Sequence, residues 1–311
     1  MKLRVTFYAS QQRDGEYKDR EKAIAEAYRQ GIVKHGDECR VLPTADVEGV
    51  DEWANVAAFV GVKGYSRLLM DSYLKAGKHI TILDKGYLSG AKGPRSKYCR
   101  VSVDSFQPLD YFQAIQRPDD RLRELKIELK PSPKGQNIIV AGGSLKYALW
   151  HNFNARYGYD PMTTWAADVI NYIAERTKNP IVYRPKPSWN DARPLPHSRF
   201  SRPPITIDEE LANAKALVTF GSNAAVDAII AGVPVIVTGD GIAKPLSRTH
   251  LKQINDLYYP TDEERYAFLC NLTYIQFNLA EFESGLAWDI IKPQIEIFAG
   301  QKGQKSFGDE N

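Results

Sequence analysis

The chain has 311 residues, 43% hydrophobic and 25% charged, with a formal net charge of +3. That length suits two domains of about 150 residues, and the composition excludes a disordered or collagen-like chain. The apolar runs are strand-sized, so no segment is expected to span a membrane. The scattered Cys39, Cys99 and Cys270 form no CxxC pair and the histidines no HxxxH pair, which points to three free thiols, a reducing cytoplasm and no metal site.

In chain order, Leu3–Tyr8 reads as a first strand, with no signal peptide ahead of it. A loop, Ala9–Gly15, leads into a helix over Tyr17–Lys34 with Ala23, Ile24, Ala27 and Tyr28 as its buried stripe. Strands follow at Glu38–Pro43, Val56–Val60, Lys78–Leu83 and Tyr98–Val103, with a helix at Tyr65–Ala76. Strands alternating with helices at this spacing imply a parallel sheet covered on both faces. The loops holding Ser10–Asp14, Lys63–Gly64 and Asp84–Tyr87 all leave its carboxyl edge, where ligands sit in such sheets.

Residues 1–120 are therefore expected to form an N-terminal Rossmann-like domain. Residues 117–136, charged and then Pro- and Gly-punctuated, read as a short helix followed by a linker, with 121–136 as the domain boundary. A second alternating series, 137–280, starts with the strand Asn137–Ala141 and the turn Gly142-Gly143-Ser144, whose glycines let backbone N–H groups approach a ligand. A helix over Asp160–Arg176 comes next, then the strand Pro180–Tyr183, which runs into Arg184-Pro185-Lys186-Pro187. Two cations held stiffly by prolines at a strand end suit phosphate, and they read equally as a surface pair. Residues 187–204 form a long Pro- and Arg-rich loop, and a short helix begins near Ile205, with Thr206 or Asp208 able to cap it.

Ala216–Val237, ALVTFGSNAAVDAIIAGVPVIV, is the most informative stretch. It reads as strand, tight turn (Gly221-Ser222-Asn223), small-residue helix and strand, with Ser222 or Asn223 as the cap and the helix N-terminus open to a phosphate. A Gly-rich loop, Thr238–Ser247, leaves the same edge. Thr261–Asn278 and Glu281–Ile291 read as helices, the first opened by a Thr261/Glu264 capping box, with Tyr266, Phe268, Tyr274, Phe277, Phe282 and Trp288 facing inward. Residues 281–299 are expected to be a C-terminal helix that packs on the N-terminal domain, and 300–311 a disordered tail.

The run GSNAAVDAIIAGVPVI resembles the donor-binding unit of GT-B glycosyltransferases: a G-S/T-S turn, an acidic residue a few positions on, then A-x-x-x-G-x-P-V. The resemblance is specific over about twenty residues. It implies an α/β fold of two doubly wound, parallel-sheet domains. It also implies a nucleotide-diphosphate sugar as donor, a UDP-sugar first, with no obligatory metal. The turn and helix would hold the diphosphate, and Asp227 would take the ribose hydroxyls where Glu is usual. Arg184 and Lys186 match the basic residue and KP pair that often end the corresponding strand in that family. The expected donor site is thus Gly142, Gly143, Ser144, Arg184, Lys186, Gly221, Ser222, Asn223 and Asp227. The acceptor's general base is sought at Asp84 or Asp14, which follow N-domain strands.

Charge bears on the acceptor. Residues 1–136 hold 24 Lys and Arg against 19 Asp and Glu, the remainder 17 against 19. Between Lys63 and Arg100 nine basic residues face two acidic ones. Such an excess reads as a solvated face or as the footprint of an anionic partner. On the second reading Arg13, Lys63, Lys85, Lys92, Arg95 and Lys97 would meet the acceptor. Double-stranded DNA carrying hydroxymethylated pyrimidines, the acceptor of some bacteriophage GT-B enzymes acting in the host cytoplasm, fits the charge. A cell-surface polysaccharide or teichoic acid fits it equally. A nucleotide-sugar 2-epimerase and a non-catalytic nucleotide- or DNA-binding module stand as the alternative functions.

Overall fold

The computed structural model describes residues 2–11, 19–44, 49–88, 97–109, 116–151 and 161–305. The chain divides into two units: Met1–Ala114 with Leu272–Asn311, and Ile115–Asn271. The return to the first unit thus falls at Leu272, ahead of the expected 281.

In the first unit the strands β1 (Arg4–Ala9), β2 (Glu38–Pro43), β3 (Val56–Val60), β4 (His79–Lys85) and β5 (Cys99–Val103) are joined by the late strand β11 (Gln276–Phe277) in the order β11-β5-β4-β3-β1-β2. β1 to β4 pair in parallel. β5 runs antiparallel to β4, and β11 antiparallel to β5, so the sheet departs from the all-parallel expectation at one edge. The helix Asp19–Lys34 crosses between β1 and β2 and buries Ile24, Ala27, Tyr28 and Ile32. Those side chains meet Phe277, Phe282, Trp288, Ile291 and Ile295 from the end of the chain in one apolar core.

That end differs in detail from its sequence expectation. The helix expected over 261–278 spans Asp262–Thr273, and the chain then extends into β11. The next helix is two, Leu279–Ser284 and Leu286–Lys305, separated by Gly285 at φ +96°. A Cβ at Gly285 would stand 2.4 Å from His35 Cε1, so this break needs glycine for both conformation and space. The second helix carries through 300–305, which the composition had assigned to a disordered tail. Tyr266, expected inside, is 40% exposed, whereas Phe268, Phe277, Phe282 and Trp288 are buried.

The second unit is built on β6 (Asn137–Ala141), β7 (Ile181–Arg184), β8 (Arg199–Phe200), β9 (Ala214–Thr219) and β10 (Val235–Val237), in the order β10-β9-β6-β7-β8. Every pairing is parallel. The chain winds from β6 outward to β8, then crosses to the other side of β6 for β9 and β10, so the winding reverses between β6 and β9. Helices Leu145–Trp150 and Pro161–Ala174 connect β6 to β7; Ala224–Ile230 connects β9 to β10 and ends at Gly232, φ +71°. The short helix expected ahead of the linker is Asp120–Glu124, and the residues that follow it lie along this unit. Lys130 donates its N–H to the Ile230 carbonyl, and the buried Arg265 guanidinium donates to the carbonyls of Lys130, Ile229 and Ile230. Among the described residues no helix is long and apolar enough to cross a membrane.

Candidate functional site

The pairing register of the second unit levels four strand ends. Ala141 faces Arg184 on one side and Thr219 on the other, and Thr219 faces Val237. The segments that follow, Gly142–Ser144, Pro185–Lys186, Phe220–Asn223 and Thr238–Asp240, therefore leave one edge, on either side of the winding reversal. In open α/β sheets this crevice is where ligands bind.

The turn after β9 is organised by Thr219. Its buried hydroxyl donates to the Ala141 carbonyl at 3.0 Å and accepts the N–H groups of Gly221 (3.3 Å) and Ser222 (3.0 Å). Sequence reasoning did not single out this residue. Asn223 holds the N-cap position of the helix Ala224–Ile230 but its side chain makes no cap bond; the Ser222 hydroxyl, one residue earlier, accepts the Ala224 N–H at 3.3 Å. Ser144, Ser222, Asn223 and Asp227 are half-buried and Lys186 is exposed.

The glycines after β6 are tightly enclosed. Gly142 donates its N–H to the Arg184 carbonyl, and a Cβ there would stand 3.3 Å from Pro185 Cα. A Cβ on Gly143 would meet Met162 Cε at 2.6 Å. Arg184 is 7% exposed, and its guanidinium donates to Ser201 Oγ at 2.7 Å and to the Ile205 carbonyl at 2.9 Å. Burial pulls its pKa down, against the opposing pull of Glu210, Glu209 and Asp227. It ties the end of β7 to the segment beyond β8, a contact the sequence pattern could not reveal. The Thr206 hydroxyl caps the helix Ile207–Leu211 through a Thr206/Glu209 capping box.

Two further side chains reach this region. His151, after the helix Leu145–Trp150, packs edge-on against Phe220 (5.4 Å between ring centres), with Nε2 4.0 Å from the Asp240 carboxylate. Asp240 lies in the loop after β10, which the sequence marked only as Gly-rich. His151 had no sequence signal. Below them a cavity of about 650 Å³ opens among the helix Pro161–Ala174, Phe220, Thr238 and Thr249–Leu251.

At the carboxyl edge of the first unit, Lys63 forms an ion pair with Glu21 at 2.7 Å and donates to the Ser10 hydroxyl. The Glu21 carboxylate also accepts the Ser10 N–H at 2.8 Å, and the Ser10 and Tyr65 hydroxyls share a hydrogen bond of 2.9 Å. Burial would raise the Glu21 pKa, but Lys63 and Ser10 together hold it below the ordinary range. Lys63 is thus engaged within the fold, by a carboxylate 42 positions away. Arg67 pairs with Asp71, and Lys78 with Glu52. Arg100, 3% exposed, lies over Phe106 and donates to the Tyr87 hydroxyl and the Phe106 carbonyl. The Asp84 carboxylate accepts the Lys85 N–H and stands 3.7 Å from the Arg100 guanidinium. Lys75, Lys85 and Lys97 are exposed. Arg13, Asp14, Lys92 and Arg95 lie outside the described residues.

No protein-family model matches the chain, and no curated protein does so. Among solved structures it is similar to a Thermosulfurimonas dismutans KpsC, beta Kdo 2,4 transferase, at 15% identity and a TM-score of 0.50, over 86% of this chain and 90% of that one. A KpsC beta Kdo 2,7 transferase of the same organism matches at 12% identity and a TM-score of 0.46, over 91% and 98%. The Methanocaldococcus jannaschii UDP-GlcNAc 2-epimerase, in complex with UDP-GlcNAc and UDP, matches at 10% identity and a TM-score of 0.32, over 94% and 99%. The first of these bears on the fold: the two Rossmann-like α/β units are those of the GT-B architecture.

Proposed function

We propose that the chain is a glycosyltransferase of GT-B type that takes its sugar from a nucleotide-diphosphate donor, a UDP-sugar first, held by the second unit. The observation that carries this reading is the levelled row Arg184–Ala141–Thr219–Val237, which opens glycine-bearing turns on both sides of a winding reversal. Gly142, Gly143, Ser144, Gly221, Ser222 and Asn223 would line the diphosphate, Lys186 would neutralise charge as it grows on the leaving group, and Asp227 would accept from the ribose hydroxyls. Arg184 acts in this reading by holding the neighbouring segment in position. Asp84 and Asp14 remain the proposed bases for the acceptor hydroxyl.

For the acceptor, a saccharide hydroxyl comes first. A neighbour of the same fold is named as a Kdo transferase. Four of the nine cations of the basic stretch that suggested DNA, Lys63, Arg67, Lys78 and Arg100, already have partners inside the first unit. A duplex acceptor would draw on the exposed Lys85 and Lys97, and its binding would fall steeply with salt.

A thermal-shift panel of nucleotides and nucleotide sugars tests the donor. The correct donor should raise the unfolding midpoint in a concentration-dependent manner, and Lys186→Ala should weaken that response about tenfold or more. A panel in which no nucleotide shifts the midpoint overturns the reading. Gel shifts at low salt on plain and hydroxymethylated duplexes decide the acceptor class.

A further inference from the structure

The first unit has a crevice of its own. In the order β5-β4-β3-β1-β2 the chain runs from β1 out to β2 and then returns to the other side of β1 for β3, so the winding reverses between β1 and β3. Ligands of open α/β sheets sit beyond the carboxyl ends of the strands at such a reversal. The register levels these ends: Ala9 faces Pro43, and Tyr8 faces Phe59. Just beyond them stand Ser10 and, at the start of the helix Gly64–Lys75, Lys63 and Tyr65. Glu21, its side chain 10% exposed, accepts from Lys63 and from the Ser10 N–H and so fixes the lysine from behind. The Lys63 side chain is 30% exposed. With two of its N–H donors spent on Glu21 and Ser10, it keeps another for the mouth of the crevice. An anion arriving there meets the ammonium before it meets the carboxylate.

Apolar surface lies beside this cation. Leu68 is 72% exposed and Tyr65 51%. At this spacing on one helix they are neighbours on its surface. The Tyr65 hydroxyl is tied to the Ser10 hydroxyl at 2.9 Å, so the ring is held before any ligand arrives, which lowers the entropic cost of stacking on it. Under Lys63 and Tyr65 the void that reaches Thr44 and Ser66 measures only about 10 Å³, room for one water. A ligand therefore lies over this polar floor, with an anionic group at Lys63 and a flat face on Tyr65 and Leu68.

We propose that the crevice between β1 and β3 binds an aromatic anion, a planar ring bearing a phosphate or carboxylate group, with Lys63 donating to the anion and Tyr65 and Leu68 covering the ring. The site belongs to the first unit alone, so it stands whether or not the second unit takes a nucleotide.

The test is amide NMR on the full chain, titrated at constant ionic strength with phenyl phosphate, benzoate, inorganic phosphate and benzamide. Phenyl phosphate or benzoate should shift the amides of Ser10 and of Lys63 to Leu68. The tighter of the two identifies the anionic group. It should bind about tenfold or more tightly than inorganic phosphate and benzamide, each of which offers only one of the two contacts. Saturating UDP should leave these shifts in place, which separates the site from the turns of the second unit. Leu68→Ser, at an exposed position where the fold is kept, should narrow the preference for the ring. The double variant Glu21→Gln/Lys63→Met removes an ion pair whole and leaves no buried charge alone. It should weaken the aromatic anion about tenfold or more and leave benzamide unchanged. The proposal is overturned if neither aromatic anion shifts the first-unit amides, if inorganic phosphate binds as tightly as phenyl phosphate and benzoate, or if either variant binds the aromatic anion as the wild type does. Displacement by UDP, or shifts confined to Gly142–Ser144 and Gly221–Asn223, would overturn it as well and assign the binding to the second unit.

Discussion

The Thr219 hydroxyl satisfies three buried backbone groups at once, one on β6 and two in the turn after β9. Replacing it by valine keeps the shape and the strand preference but leaves the Ala141 carbonyl and the Gly221 and Ser222 N–H groups unpaired. An unsatisfied buried polar group costs about 1–3 kcal/mol. Thr219→Val should therefore lower the stability of the second unit by about 1–3 kcal/mol in urea titrations, and Thr219→Ser should recover most of the loss. Wild-type stability in the valine variant would show that the hydroxyl does not organise the turn. The Gly221-Ser222-Asn223 turn was legible because its signals are local: a strand run, a glycine and a capping residue in sequence. Thr219 was not, since its partner is 78 positions away and a β-branched residue in a strand needs no further reason. His151 and the contacts of Arg184 were obscured in the same way, because their partners become neighbours only when several loops share one edge.

Among the elements, those with strong periodicity were legible and those defined by pairing were not. The helices Asp19–Lys34 and Pro161–Ala174 lie close to where their apolar stripes put them. Two-residue β11 carries no period of its own. It exists because β5 offers an edge, with the Val101 N–H donating to the Ile275 carbonyl and Gln276 wholly buried. The final helix is held to Asp19–Lys34 by groups that titrate. His35 Nε2 meets the Asp289 carboxylate at 2.6 Å, and its Nδ1 lies 2.8 Å from the Gly31 carbonyl. The Gly31 bond first, and Asp289 after it, raise the His35 pKa above its ordinary 6.5. A raised folded pKa gives stability that is complete below the unfolded value and is lost as pH rises through the folded one. The urea midpoint of the first unit should thus fall as pH rises above about 6.5, by an amount under about 1 kcal/mol because Asp289 is well exposed. His35→Gln should flatten that window, and added salt should shrink it. Asp37 does not interfere there. Burial would raise its pKa, but Leu3 N–H, Lys292 and Trp288 together hold it low, so its contribution is lost only in acid. An unchanged slope in the glutamine variant would assign the pH dependence to another group.

At the scale of the whole chain, the sequence misled where it was read as consecutive windows. The nine cations between Lys63 and Arg100 are balanced in part from outside that window, by Glu21 and Glu52, which pair with Lys63 and Lys78. The first unit likewise is not a continuous stretch: its core is completed from residues 272 onward. Phe277, Phe282, Trp288, Ile291 and Ile295 are each at most 1% exposed, and Trp288 Nε1 donates to the buried Asp37 at 2.7 Å. Burying a large apolar side chain contributes about 1.5–3 kcal/mol, so five of them together rival the roughly 5–15 kcal/mol that keeps a domain folded. A chain ending at Asn271 should therefore lose the first unit while keeping the second, whose core is drawn from residues 115–271 alone. Hydrogen exchange read by mass spectrometry separates the two. In the truncated chain the amides of β1, β3 and β4 should exchange at rates close to those of an unfolded chain, while those of β6 and β9 keep their protection. A truncated chain whose β1 amides stay as protected as in the full chain would mean that the terminal helices cover a core already complete without them.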